Sequence, residues 1–96
     1  MKVIIKENFK EDYTTRPAGE RLRDIILENE ELIEIDFSEV KVASASFFDE
    51  AFAKLISEYN WKKIDFDTRV KFLNLYKHDL SLLNQVCQTR GANFEF

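Results

Sequence analysis

Ile35-Asp36-Phe37-Ser38-Glu39-Val40 runs through Lys41-Val42-Ala43 into Ser44-Ala45-Ser46-Phe47-Phe48-Asp49-Glu50-Ala51-Phe52. The first part reads as a buried strand, the middle as a short loop and the last part as an abruptly started helix. Ser46 is the N-cap candidate, because a serine oxygen there accepts an orphan N–H of the first turn. Asp49, three residues on, completes an acidic version of the capping box. A helix start of this kind also suits an anion or a phosphoserine.

Working outward, Val3-Ile4-Ile5 predicts a first strand, and the polar residues 7 to 15 predict turns. Pro17 belongs in the first turn of a helix that runs to about Asn29, with Ala18, Leu22, Ile25 and Ile26 on its apolar side. Leu32 to Phe37 is the second strand. The helix from Ser46 to about Tyr59 carries Phe48, Ala51, Phe52, Leu55 and Tyr59 at helical spacing, broadened by Phe47 and Ile56. Asn60 to Arg69 then reads as a long connection, a candidate functional loop holding Trp61. Val70 to Leu75 predicts a third strand and Lys77 to Arg90 a helix stopped by Gly91. Asn93-Phe94-Glu95-Phe96 alternates as a last strand would. The order βαβαβαβ implies one α/β domain with a four-stranded, mostly parallel or mixed sheet packed with helices.

Ninety-six residues fit a single core, and 45% hydrophobic residues, nine of them Phe, can fill it. The longest apolar runs are three residues, far short of a membrane span. The lone Cys87 forms no internal disulfide, which favours a reducing compartment, the cytoplasm. Net charge is −4, and eleven of the 18 acidic groups lie in the first 48 residues. That balance opposes nucleic-acid binding, which rests on cations neutralising phosphates. Chemistry is sparse: one His, His78, and one Cys supply no ordinary zinc set, no nucleophile signature is present, and there is no Gly-rich phosphate loop. The expectation is a protein without metal or cofactor, and no enzyme. Arg16, Arg21 and Arg23 could contact an anion or an acidic partner; pairing within the helix, as between Glu20 and Arg23, is the simpler role. Trp61 packs under its loop or anchors a partner, with equal support. The polar groups that converge beyond the second strand are Asp36, Ser38, Ser44, Ser46 and Asp49, where open α/β sheets collect ligands.

At these residues the chain resembles the STAS (sulfate transporter and anti-sigma-factor antagonist) superfamily, and more closely its bacterial STAS-like subgroup. The STAS pattern is a strand ending Asp-Leu-Ser-x-Val, followed by Asp-Ser-Ser-Gly at the next helix. Asp36-Phe37-Ser38-Glu39-Val40 fits the first part; in the second, Ser44 stands at the family's Asp and Ala45 at its phosphorylated Ser. The subgroup is similar through Arg16-Pro17-Ala18-Gly19-Glu20, Asp36-Phe37, Ser46-Phe47-Phe48-Asp49-Glu50-Ala51-Phe52 and Leu73-Asn74-Leu75. The resemblance implies one STAS-like domain over residues 1–96, a non-enzymatic module in a bacterial partner-switching pathway. Its partner would be a kinase of the histidine-kinase ATPase fold, bound around Asp36, Ser38, Ser44, Ser46, Phe47, Asp49, Glu50 and Trp61. Ser46 or Ser44 would accept the phosphate. The alternative is a small-ligand or nucleotide-sensing domain without turnover.

Overall fold

The computed structural model describes residues 1–96. β1 (Lys2–Ile4) leads directly into a single turn, α1 (Ile5–Asn8), where Asn8 folds back and its Oδ1 accepts the Ile4 N–H at 2.8 Å. α2 (Arg16–Glu28) begins at Thr15, whose hydroxyl oxygen accepts the Ala18 N–H at 3.2 Å, with Pro17 preset in the first turn. β2 (Ile33–Asp36) follows. The next helical stretch is continuous but not uniform: α3 (Ala45–Phe48), a π-helical turn (Asp49–Ala53) and α4 (Lys54–Tyr59). It stops at Asn60, which takes a left-handed φ of 58°. α5 (Lys63–Arg69), β3 (Val70–Leu73) and α6 (Lys77–Thr89) complete the order.

Three parallel strands make the sheet, in the order β1-β2-β3. Four were expected. Asn93–Phe96 keeps the alternation of a strand but pairs with no neighbour, because its rings are what hold it. Phe96 packs edge-on against Phe66 and Phe72, Phe94 lies against Phe66, and the Phe96 backbone is clasped by the Asn84 amide. The long loop expected at 60–69 contains α5. Its one solvent-facing apolar residue, Ile64, is 67% exposed, so no amphipathic stripe announces it. Asp65 instead fixes its start, accepting the Lys62 N–H at 2.8 Å.

Register sorts the strand residues into two faces. Val3, Ile35 and Phe72 align on one row and Ile33 with Val70 on another, all pointing to the helices. Lys2, Glu34 and Lys71 form a charged row on the opposite face. Sequential strand order with right-handed crossovers puts both connections on the same side of the sheet, and α2 does pack against α3 and the π turn. Phe37, Phe47, Phe48 and Phe52 are fully buried between these layers. Cys87, on the inner face of α6, is buried with them, and desolvation pushes its thiol up to about 12.

Gly19 sets how closely α2 approaches. A methyl group there would lie 2.7 Å from Glu50 Cβ and 2.7 Å from the Phe47 carbonyl oxygen. Only glycine lets the two helices cross at this point, and it brings the π turn against the α2 surface that carries Arg16 and Arg23.

Candidate functional site

The cap of α3 is Ser44, not Ser46. Ser44 takes an extended backbone, its Oγ accepts the Phe47 N–H at 3.2 Å, and its hydroxyl donates to the Thr14 carbonyl at 2.5 Å. Serines at both positions suit a cap, and the contact with Thr14, thirty residues away, favours the earlier one. The helix therefore starts two residues sooner, and Ser46 moves into its first turn with a hydroxyl that bonds to nothing in the protein.

Beyond Ser46, four cations converge on two carboxylates. Asp49 receives a two-pronged contact from Arg90, Nε to Oδ1 and Nη2 to Oδ2, both at 2.8 Å. Arg16 Nη1 reaches Asp49 Oδ2 and Glu50 Oε2, each at 2.9 Å. Glu50 Oε1 also accepts from Lys54 at 2.8 Å and from Arg23 at 3.1 Å. Arg23 further donates to the Glu50 carbonyl oxygen at 2.6 Å, in the π turn where the regular helical ladder is widened. The hydrogen bonds from Arg90, helped by Arg16, hold the Asp49 carboxyl at about 2. At Glu50 burial pushes the other way, but the bonds from Lys54, Arg16 and Arg23 outweigh it and the carboxyl again lies at about 2. Asp49 in turn raises the Arg16 and Arg90 guanidiniums. The local pair expected between Glu20 and Arg23 does not form, because Arg23 lies on the side of α2 that faces the π turn.

A cavity of about 450 Å³ opens beside this network. Arg16, Ser46, Asp49, Thr89 and Arg90 line it, over a floor that includes Ala45 and Val86.

A second polar centre lies at the carboxyl end of β2. Asp36 Oδ1 accepts the Ser38 N–H at 2.9 Å, the Ser38 hydroxyl at 2.6 Å and the Asn74 amide at 2.9 Å. Those bonds, the Ser38 hydroxyl first, hold the Asp36 carboxyl at about 2. The centre ties the β2 exit to the β3 exit. Asp79, buried in the first turn of α6, does the same for the loop before α3, its two oxygens accepting the Val42 N–H at 2.7 Å and the Ala43 N–H at 2.9 Å.

The structure thus brings Ser46, Asp49 and Glu50 together and sets Asp36 and Ser38 apart as a separate pair. Phe47 is completely buried and offers no surface to a partner. Trp61 is half-buried, edge-on to Phe66, with the Arg69 guanidinium over its ring. Arg69 itself donates to the Ile26 and Asn29 carbonyls at the end of α2. Sequence reasoning missed Arg90, Lys54, Asn74 and Asp79. Arg90 ends a helix, where a cation is explained by the dipole alone, and its partner Asp49 is 41 positions away.

No curated protein and no solved structure matches the chain. Residues 18–80, from the first turns of α2 through Gly19, the π turn and Asn74 to Asp79 in α6, match the model of the STAS-like domain of unknown function (DUF4325). That stretch is well over half of the chain, and the protein belongs to this STAS-like family.

Proposed function

We propose that the protein is a non-enzymatic regulatory module that binds a partner protein at the start of α3, in the manner of an anti-sigma-factor antagonist in bacterial partner switching. The observation that carries this reading is the free hydroxyl of Ser46. It stands in the first turn of α3 beside an open cavity, whereas Ser44 is consumed as the cap. Ala45 holds the usual acceptor position of STAS domains, so Ser46 is the available hydroxyl. Asp49 and Glu50 are already compensated by cations. A phosphate on Ser46 would therefore reorganise that pairing rather than simply repel the two acids. The partner of this reading is a kinase of the histidine-kinase ATPase fold.

Co-purification from the native cell with phosphosite mapping tests it, followed by partner affinity for wild type and Ser46→Asp. The expected result is an ATPase partner whose binding Ser46→Asp weakens by about tenfold or more, a difference of about 1.4 kcal/mol. Equal affinity of the two, with no phosphate on Ser46, would remove the switch.

A further inference from the structure

The loop that joins β2 to α3 is bent against its own preferences. Glu39 and Ala43 take left-handed φ values of 61° and 46°, which an L-residue adopts reluctantly because its Cβ crowds the following carbonyl. Ala43 is exposed and has no polar side chain to satisfy such a turn, so neither packing nor a local side-chain bond accounts for it. What holds it is Asp79, from the first turn of α6, whose Oδ1 accepts the Ala43 N–H at 2.9 Å while Oδ2 accepts the Val42 N–H at 2.7 Å. Strain of this kind persists only where the surroundings dictate it. Asp79 is itself costly to keep. It is buried without a cation beside it, and apart from the N-terminal dipole of α6 these two amides are all that its carboxylate has. Opening the loop lets water reach that carboxylate and lets Ala43 relax; closing it gains two charge-assisted hydrogen bonds and the burial of Val40 and Val42. The loop also has room to move. Hollows of about 380 and 360 Å³ flank it, one lined by Lys41, Ala43 and His78, the other by Ser38, Glu39 and Asn74, with Tyr76 common to both.

We propose that Asp79 latches this loop in a strained closed form, and that the native chain also visits an open form in which residues 39–43 leave Asp79 while the sheet, α2 and α6 stay folded. Ser44 follows Ala43 directly, so the open form withdraws the Ser44 cap from the Phe47 N–H and frays the first turn of α3. Asp79 is then a positioning residue for the start of α3, acting through Ala43. Whatever docks beside Ser46 meets a surface that α6 controls. This goes beyond the docking reading, since the latch is a property of the chain alone.

Native-state amide exchange of the isolated chain tests the latch. Exchange at the Val42 and Phe47 amides is expected to be faster than at Ile35 in β2 and, unlike it, unaffected by urea well below the unfolding midpoint, the mark of a local opening. Because position 43 is exposed, its strain can be varied without touching the core: asparagine tolerates the left-handed region, whereas valine is a marked outlier there. Ala43→Val should speed both amides by about tenfold relative to Ala43→Asn, with wild type between them. Asp79→Asn keeps the shape of the side chain but presents one acceptor instead of two. In that variant Ala43 should leave the left-handed region, read as loss of its strong intraresidue HN–Hα NOE. Exchange at Val42 and Phe47 that rises with urea as Ile35 does overturns the proposal. So do equal rates for Ala43→Val and Ala43→Asn, a Phe47 amide that ignores position 43, or an Asp79→Asn chain whose Ala43 stays left-handed. If Asp79→Asn does not fold, the pair at position 43 decides alone. No partner takes part, so failure to find an ATPase leaves this result standing.

Discussion

Two serines two positions apart have opposite roles. The Ser44 hydroxyl bridges the Phe47 N–H and the Thr14 carbonyl, whereas the Ser46 hydroxyl bonds to neither backbone nor side chain. Ser44→Ala is therefore expected to lose about 0.5–2 kcal/mol, the usual worth of an N-cap. Ser46→Ala should change stability by less than about 0.5 kcal/mol. Denaturant midpoints of both variants check the assignment, and a larger loss at Ser46 would reverse it. The sequence carried a true signal here, a serine before an apolar helical run with an acid close behind. It did not carry the register, because Ser44 wins through Thr14, a contact that tertiary folding creates. Asp49 shows the same limit: its acid was anticipated at a helix start as a partner for the backbone, and the fold gives it to Arg90.

At the level of elements, the crossing of α2 over the π turn depends on Gly19. Alanine is the better helix former by about 1 kcal/mol, so propensity alone predicts that Gly19→Ala stabilises. Overpacking costs about 1–3 kcal/mol, and the added methyl meets backbone and a Cβ rather than a movable side-chain tip. The variant is expected to be destabilised by about 1–2 kcal/mol, with α2 shifted away from Glu50 and the Arg23 bond to the Glu50 carbonyl weakened. Chemical unfolding together with amide exchange through Asp49–Ala53 measures both effects. Elements with strong periodicity were legible: α2, β2, β3 and α6 fall within a residue or two of their expected bounds. α5 was not, because Phe66 is its only fully buried residue and Ile64 faces solvent. The strand expected at 93–96 failed for a different reason. Alternation reports which side chains turn inward, and Phe94 and Phe96 do so, but it cannot report whether a neighbouring edge accepts the backbone.

For the molecule as a whole, acid sensitivity is concentrated in three carboxylates. Asp36 and Asp49 have ordinary values of 3.8 and Glu50 one of 4.5, and all three are held at about 2 in the fold. The unfolded chain thus binds more protons than the folded one between these values. Their stabilisation is complete above about pH 4.5 and falls as the pH drops towards 2. Urea midpoints measured at neutral pH and through that window should decline steadily, and Glu50→Gln, though less stable at neutrality, should show a shallower decline. A midpoint that stays flat down to the lower limit would contradict the network. The parallel sheet and the order of its helices were readable from periodicity and crossover rules; the charge network that joins α2, the π turn and α6 was not, since its partners are 27 to 41 residues apart.

The buried thiol of Cys87 has a practical corollary. With its proton held to about pH 12 and its sulfur out of reach of water, the only native cysteine is silent towards maleimides and iodoacetamides while the chain is folded. A single dye placed through Ser46→Cys would then report on the mouth of the Arg16 cavity alone, and the appearance of a second labelled position would time the opening of the core.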